Sequence, residues 1–213
     1  AGTAGASITV NTNAIITVTG DKDLNLGTIA GTDSSVIATN FTGKLTVVGE
    51  AGNNTITGGS KVDTLNGAAG TDTLTGNAGA DIFIFVDTES IDTAFDRIND
   101  FSADVIRLTA ADNVAGAGGT ATATTQVAVA TGGKFTFATA DDTMAEKIIA
   151  VQADTNLINN EVGFFEDSGN TYIFGSSGGG AGADADNFIQ LTGVTGMTTL
   201  TESAATPGDF TLA

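Results

Sequence analysis

Four nine-residue units follow one another without a gap from Gly49 to Ile84. In register they read GEAGNNTIT, GGSKVDTLN, GAAGTDTLT and GNAGADIFI. Each unit opens with glycine, carries Asp or Asn at its sixth place and carries one large apolar residue at its eighth place. The units approximate the pattern G-G-x-G-x-D-x-U-x, where U is a large apolar residue. A repeat this short predicts a chain that coils into a β-solenoid.

The spacing within each unit predicts how one coil is built. The glycine-rich first part suits a turn, and the last three residues suit a short strand whose middle side chain points inward. One unit cannot bury its apolar side chain alone, so stacked units should align Ile56, Leu65, Leu74 and Phe83 into a continuous interior. Val47 lies nine residues before Ile56 and is predicted to start this stack.

The turns carry the candidate metal ligands. Glycine lets the turn expose backbone carbonyl oxygens, and the sixth residue adds a side-chain oxygen. Oxygen ligands at this density suit Ca²⁺, which takes about six to eight of them. A calcium-free solenoid in which Asp only forms Asx-turns is the alternative. The candidate ligands are the first, third, fifth and sixth residues of each unit: Gly49, Ala51, Asn53 and Asn54; Gly58, Ser60, Val62 and Asp63; Gly67, Ala69, Thr71 and Asp72; Gly76, Ala78, Ala80 and Asp81.

These units resemble the RTX repeats of proteins that are exported by type I secretion. In that family successive turns lie on alternate edges of a β-roll, and calcium lies between turns two units apart. The resemblance implies that Asp63 pairs with Asp81 and that Asn54 pairs with Asp72. Two departures matter. Asn54 lacks a negative charge, which predicts a weaker site, and Lys61 replaces the fourth-place glycine and adds bulk and positive charge beside Asp63.

The composition excludes several classes of function. The chain of 213 residues has no His and no Cys, which excludes a Ser-His-Asp triad, a thiol nucleophile and a Cys- or His-based zinc site. With 25 acidic and 7 basic residues, its net charge of −18 disfavours nucleic acid as a partner. No apolar run approaches the length of a transmembrane helix, so membrane insertion is not expected. We therefore expect a protein that is not an enzyme.

Acidic residues continue beyond the repeats, from Asp81 to Asp112. They repel one another unless cations bind, although a solvated acidic surface is the alternative. Asp100 and Asp104 are the best further ligand candidates. They lie in FDRINDF and ADVIRL, which resemble the segment that often closes an RTX roll. In that role the following apolar residues would cover the open end of the stack: Ile98, Phe101, Val105, Ile106 and Leu108.

The predicted fold is mainly β: a parallel β-roll with a capping β-rich C-terminal region that contains one helix. Residues 1–48 read as a β-rich, solenoid-like segment, residues 49–108 as the roll with its cap, and residues 109–213 as a secretion-associated region. In this last region residues 143–152 predict the helix, residues 162–174 predict a hairpin and residues 187–191 predict a strand. The ending DFTLA resembles a type I secretion signal.

A looser resemblance covers about residues 34–213. VIATNFTGKLTVVGEAGNNTITGG and the later block are similar to the C-terminal region of Gram-negative surface-layer (S-layer) proteins. This implies a structural segment that is secreted to the cell surface, binds Ca²⁺ and self-associates into a lattice. The implied partners are further copies, the type I secretion machinery and, through regions outside this chain, surface polysaccharide. A secretion and folding module of a large adhesin, or the tail of an exported hydrolase, is the alternative.

Overall fold

The structure is a computed structural model of the chain. It describes residues 7–9, 11–86, 95–109, 113–114, 128–129, 132–137, 143–153, 161–175 and 187–213. Within these residues the fold is mainly β, with a parallel β-solenoid of about four turns and a single helix. The prediction of a β-roll is therefore confirmed.

Two parallel sheets form the roll, because successive strands alternate from one sheet to the other. Strands two apart in sequence are hydrogen-bonded neighbours, which gives each coil one strand in each sheet. The first sheet contains β1 (Ser7–Thr9), β3 (Leu24–Ala30), β5 (Leu45–Val48), β7 (Thr64–Asn66), β9 (Ile82–Phe85) and β11 (Val105–Leu108). The second contains β2 (Ile15–Thr17), β4 (Ser35–Ile37), β6 (Thr55–Thr57), β8 (Thr73–Thr75) and β10 (Asp96–Ile98).

The eighth residue of each unit is buried between the two sheets, as its place in a three-residue strand predicts. Ile56, Leu65, Leu74 and Phe83 are each at most 1% exposed. The strand register stacks Ile56 on Leu74 in one sheet and Leu65 on Phe83 in the other. The roll thus has two facing columns of apolar side chains, and their burial supplies most of the drive to stack coils.

The stack begins earlier than we predicted. Val47 does not start it, because Val36 pairs with Ile56 in register and is itself buried. The preceding coils bury Ile29 in the other sheet. These early coils are irregular, with a register shift between Asn25 and Gly27 where β3 pairs with β5. Because they do not keep the nine-residue period, the repeat pattern alone could not reveal them.

The segment predicted to close the roll instead forms a further coil. β10 pairs with β8 on one side and with β17 (Asn187–Leu191) on the other, and β11 lies between β9 and β19 (Asp209–Leu212). Ile98, Ile106 and Leu108 are buried as expected. Val105 is only half-buried, because its place beside Ile106 on the strand turns it away from the interior.

The C-terminal region continues both sheets. β17 (Asn187–Leu191), β16 (Asn170–Gly175), β15 (Glu161–Asp167) and β12 (Asn113–Val114) extend the second sheet. β19 (Asp209–Leu212) and β18 (Leu200–Glu202) extend the first sheet and run antiparallel to their neighbours in it. The predicted hairpin is confirmed as β15 and β16, and the strand predicted at 187–191 is β17. A separate pair of strands, β13 (Ala128–Val129) and β14 (Phe135–Thr136), lies outside both sheets.

The described part of the chain contains one helix, α1 (Met144–Ala153), at the predicted place. Thr143 and Glu146 cap its start, because the Glu146 carboxylate accepts the Thr143 N–H at 3.0 Å. Its apolar face packs with the aromatic residues of β15, β16 and β17, including Phe165, Tyr172 and Phe188. Among the described residues, no helix combines the length and the apolar character needed to cross a membrane.

Candidate calcium site

A ladder of hydrogen bonds runs along one edge of the roll. The side-chain oxygen of Asn54 accepts the backbone N–H of Ser34 at 3.0 Å. In the same way Asp72 Oδ1 accepts the N–H of Asn54 at 2.6 Å, and Asp96 Oδ1 accepts the N–H of Asp72 at 2.6 Å. Each sixth-place side chain therefore fixes the turn before it on the same edge.

The second edge carries an equivalent ladder. Asp63 Oδ1 accepts the N–H of Leu45 at 2.7 Å, and Asp81 Oδ1 accepts the N–H of Asp63 at 2.7 Å. Asp104 Oδ1 then accepts the N–H of Asp81 at 2.9 Å. The structure thus brings together the pairs that the family resemblance implied, Asp63 with Asp81 and Asn54 with Asp72. Calcium binding by them stays a prediction.

Asp96 is a ladder residue that the sequence analysis missed. It is 0% exposed, yet it lies 24 residues after Asp72, whereas repeats on one edge are 18 residues apart. The longer connection breaks the nonapeptide period. A local signal was available, because Asp96 and Ile98 repeat the D-x-U triplet of the units, as Asp104 and Ile106 also do.

The first-place glycines lie directly against the ladder side chains. A Cβ on Gly67 would be 2.1 Å from Asp72 Oδ2, and one on Gly76 would be 2.2 Å from Asp81 Oδ2. A Cβ on Gly58 would meet both Asp63 Oδ2, at 2.5 Å, and the carbonyl oxygen of Gly76, at 2.8 Å. Glycine is thus required here by close approach, and carboxylate and carbonyl oxygens share this space.

The remaining predicted ligands lie further out. The third and fifth residues are on the outer face of the turns, where most are exposed and Thr71 is half-buried. Among them, the carbonyl oxygen of Ala69 accepts the N–H of Gly52 at 2.8 Å, which joins turns two units apart. Of the predicted ligands in the repeats, only the first- and sixth-place residues are buried: Gly49, Asn54, Gly58, Asp63, Gly67, Asp72, Gly76 and Asp81.

The two candidates beyond the repeats differ in their surroundings. Asp104 is 3% exposed, belongs to the second ladder and also accepts the N–H of Ser102 at 2.7 Å. Asp100 is half-buried and holds the start of the fourth unit, because its two oxygens accept the N–H groups of Gly76 and Asn77 at 2.9 and 2.7 Å. Asp104 is therefore the better placed of the two for a buried site.

Burial perturbs the carboxyl groups of the second ladder. Removal from water raises the pKa of Asp63, Asp81 and Asp104 above the ordinary value of 3.8. For Asp81 the pKa rises to about 6, because burial outweighs the hydrogen bond from Asp63, and the charges of Asp63, Asp104 and Asp100 raise it further. Asp81 Oδ2 is buried and accepts no hydrogen bond. When the carboxylate is ionised, a cation would stabilise this buried oxygen.

The donor set fits a hard divalent cation. Its atoms are carboxylate and carbonyl oxygens, and the chain has no His or Cys that would favour a softer metal. Among the described residues, no three Asp or Glu side chains gather closely enough to form a site by themselves. A cation bound here therefore requires backbone carbonyl oxygens, such as that of Gly76, together with the ladder carboxylates.

The sequence profile of the RTX calcium-binding nonapeptide repeat matches residues 48–83 as four copies. The chain therefore carries RTX repeats. The match has the same length as our four units at 49–84 and is shifted by one residue toward the N terminus. RTX repeats are known calcium-binding motifs, and proteins that contain them are typically secreted. No curated protein matches the chain.

Several predicted features lie outside the described residues. They include the acidic residues Asp87, Glu89, Asp92 and Asp112 and most of the glycine-rich segment at 175–186. The departure predicted at Lys61 falls on an exposed side chain, while Asp63 is fully buried. The division of the chain at residues 48 and 108 stays a prediction, although both sheets continue across those positions.

Proposed function

We propose that this chain is the structural, calcium-binding C-terminal segment of a secreted surface-layer protein, which folds and assembles on the cell surface when it binds Ca²⁺. The observation that carries the calcium part is the buried, unsatisfied Oδ2 of Asp81 beside its ladder partners Asp63 and Asp104. The surface-layer part is supported by the sequence resemblance and by the large negative charge.

Calcium would be required because the ladders bury carboxylates one above another. Asp63, Asp81 and Asp104 form one column, in which each main-chain N–H is donated to the next carboxylate. These bonds orient the oxygens but leave the charges uncompensated by any buried cationic side chain in the ladder. When bound, Ca²⁺ supplies positive charge and accepts several oxygen ligands at once. Folding and binding are then one coupled equilibrium.

This coupling suits a protein that is exported before it folds. Extracellular calcium modules bind at about 10⁻⁴ to 10⁻³ M, so the chain would stay metal-free in the cytosol and fold outside. The type I secretion machinery is the proposed exporter, and the ending DFTLA is its proposed signal. We assign no catalysis to this chain. Any contact with surface polysaccharide would be made by regions outside it.

Assembly is proposed to depend on calcium for a second reason. A net charge of −18 makes copies repel one another at low ionic strength, and divalent cations screen or bridge such surfaces. Copies of the protein are therefore the main proposed partners. The proposed bridging regions are the acidic sequence around residues 87–104, in which Asp96 and Asp104 are buried, and the glycine-rich segment at 175–186. Residues 87–94 and 176–186 lie outside the described residues.

The test uses the longer protein that contains this chain, because the isolated segment lacks some lattice contacts. Electron microscopy and light scattering should show ordered sheets at millimolar calcium and dispersal after EGTA is added. Asp81→Asn should weaken assembly, since it removes a ladder charge. Asp21→Asn is the matched control, because Asp21 is exposed and its carboxylate pairs with the exposed Lys22.

Two results would reject the surface-layer role. The first is a longer protein that stays monomeric at high concentration although calcium is bound and the fold is intact. The second is a catalytic or adhesive domain upstream that accounts for the activity of the whole protein. Either result would favour the alternative, a C-terminal RTX secretion and folding module of an adhesin or exported hydrolase, and would leave the calcium ladder unaffected.

A further inference from the structure

The side chain of Asn54 lies in a pocket of backbone oxygens. Its Nδ2 is 2.7 Å from the carbonyl oxygen of Glu50, 3.1 Å from that of Gly52 and 3.3 Å from that of Gly67. Its orientation is fixed by the opposite end, since Oδ1 accepts the N–H of Ser34. The amide hydrogens therefore point at three converging carbonyl oxygens, and Asn54 is only 3% exposed.

In the next unit a carboxylate oxygen of Asp63 takes the place of the Asn54 amide nitrogen. A Cβ added to Gly49 would lie 2.3 Å from the carbonyl oxygen of Gly67 and 3.0 Å from Asn54 Nδ2. A Cβ added to Gly58 would instead lie near the carbonyl oxygen of Gly76 and Asp63 Oδ2. The amide nitrogen of the first unit thus stands where the second has a carboxylate oxygen next to a carbonyl oxygen. The first unit thus has an N–H···O contact where the second has two acceptor oxygens, of which Asp63 Oδ2 accepts the N–H of Gly59 at 2.6 Å.

A second observation agrees with this difference. Among the described residues before Asp63, no Asp or Glu side chain is buried, and the buried polar side chains there are Ser34 and Asn54. From Asp63 onward the roll buries five carboxylates in its ladders: Asp63, Asp72, Asp81, Asp96 and Asp104. The need for a cation is therefore confined to the later coils.

We propose that the Asn54 amide replaces a calcium ion in the first RTX turn, so that the early coils fold without metal and serve as a template for the calcium-dependent ones. The inference rests on the proposed calcium function of the later turns. It assigns Asn54 a role opposite to that of a weak ligand, because its N–H groups satisfy the same class of carbonyl oxygens that a cation would bind.

The first test is hydrogen exchange of the whole chain, measured by mass spectrometry in EGTA and in millimolar calcium. In EGTA, peptides from residues 14–57 should exchange at least about tenfold more slowly than peptides from residues 63–86, because only the latter contain buried carboxylates. Calcium should then slow exchange mainly in residues 63–86 and 96–109. Equal exchange of the two regions in EGTA would overturn the inference.

The second test compares Asn54→Asp with Asn40→Asp. Both add one negative charge to the early coils, but Asn40 is exposed and is not one of the candidate ligands. In EGTA, Asn54→Asp should speed exchange of residues 45–57 by about tenfold or more, or unfold the chain, because it buries an unpaired charge. Calcium should reverse this effect. Asn40→Asp should change exchange by less than about twofold in either condition.

The outcomes separate this inference from the proposed function. If Asn54→Asp matches Asn40→Asp in EGTA, or if calcium fails to rescue it while the wild type responds, the Asn54 inference is wrong and the calcium ladder stands. If exchange of the wild-type chain does not respond to calcium at all, the proposed calcium function itself is wrong.

Discussion

The backbone N–H of Asp63 donates a 2.7 Å hydrogen bond to Oδ1 of Asp81, a residue that lies 18 positions later in the chain. The bond links consecutive coils on one edge and uses only one of the two carboxylate oxygens. The other, Asp81 Oδ2, is buried without a hydrogen bond. The stacking function and the metal-binding function of Asp81 can therefore be separated by substitution.

Asp81→Asn should keep the stacking bond and weaken the calcium response. Asn retains an acceptor for the Asp63 N–H, and it removes a buried charge that destabilises the metal-free fold. In EGTA the free energy of unfolding of Asp81→Asn should be at least that of the wild type, and up to about 1 kcal/mol higher. Calcium should raise the free energy of unfolding of the variant by less than it raises that of the wild type. Urea unfolding followed by circular dichroism measures both. The prediction fails if Asp81→Asn gains as much from calcium as Asp21→Asn does.

The metal-free fold should become less stable as the pH rises from about 4 to about 6. The pKa of Asp81 is raised from 3.8 to about 6, so the folded state binds more protons than the unfolded state in this range. Calcium affinity should show the opposite trend and increase with pH, because the ion competes with the proton. Urea unfolding in EGTA at several pH values tests this, with Asp81→Asn as the control. A flat or rising wild-type profile would contradict the assignment.

Gly76→Ala should damage the site by crowding alone. The added Cβ would lie 2.2 Å from Asp81 Oδ2, and Gly76 does not have the positive φ that makes alanine strained. We expect the free energy of unfolding, measured in the presence of calcium, to fall by about 3 kcal/mol, and we expect calcium to bind more weakly. Gly169→Ala is the control, since its φ is +80° but nothing lies near its Cβ, and strain alone costs about 1 kcal/mol. Equal losses in the two variants would show that crowding at Gly76 is unimportant.

Asp209→Asn should loosen the C-terminal strand. Asp209 forms a two-point ion pair with Arg107, in which Nη2 lies 2.8 Å from Oδ2, and this pair joins β19 to β11. Hydrogen exchange of residues 209–212 should accelerate by about tenfold, while residues 64–66 stay protected. The exposed pair of Asp21 and Lys22 provides the control, because surface pairs contribute little. Unchanged exchange at β19 would mean that backbone pairing alone holds the strand.

The nonapeptide period made part of this fold predictable. A strict repeat of nine residues fixes which side chains face inward, and Ile56, Leu65, Leu74 and Phe83 are buried as that period requires. Local geometry repeated along the chain is enough for this prediction, since no distant contact enters it. The pairing of Asp63 with Asp81 on one edge was implied instead by the resemblance to RTX repeats, in which successive turns lie on alternate edges.

Contacts without a fixed spacing could not be predicted. Arg107 and Asp209 lie 102 residues apart, and only the complete fold brings them together. Asp96 was missed because the connection before it is longer than a repeat. The missing negative charge of Asn54 suggested a weaker site. Its three contacts with carbonyl oxygens could not be predicted, because they depend on the neighbouring turn and on the orientation of the amide group.

Calcium titration by calorimetry tests the central claim, that the buried ladder carboxylates bind Ca²⁺, most directly. The wild-type chain should bind saturably at about 10⁻⁴ to 10⁻³ M, and Asp72→Ala and Asp81→Ala should each lower the number of ions bound. Each variant removes a carboxylate from a different edge, so each should leave the binding of the other edge measurable. The absence of binding by the wild type at millimolar calcium, or an unchanged number of ions in both variants, would contradict the account.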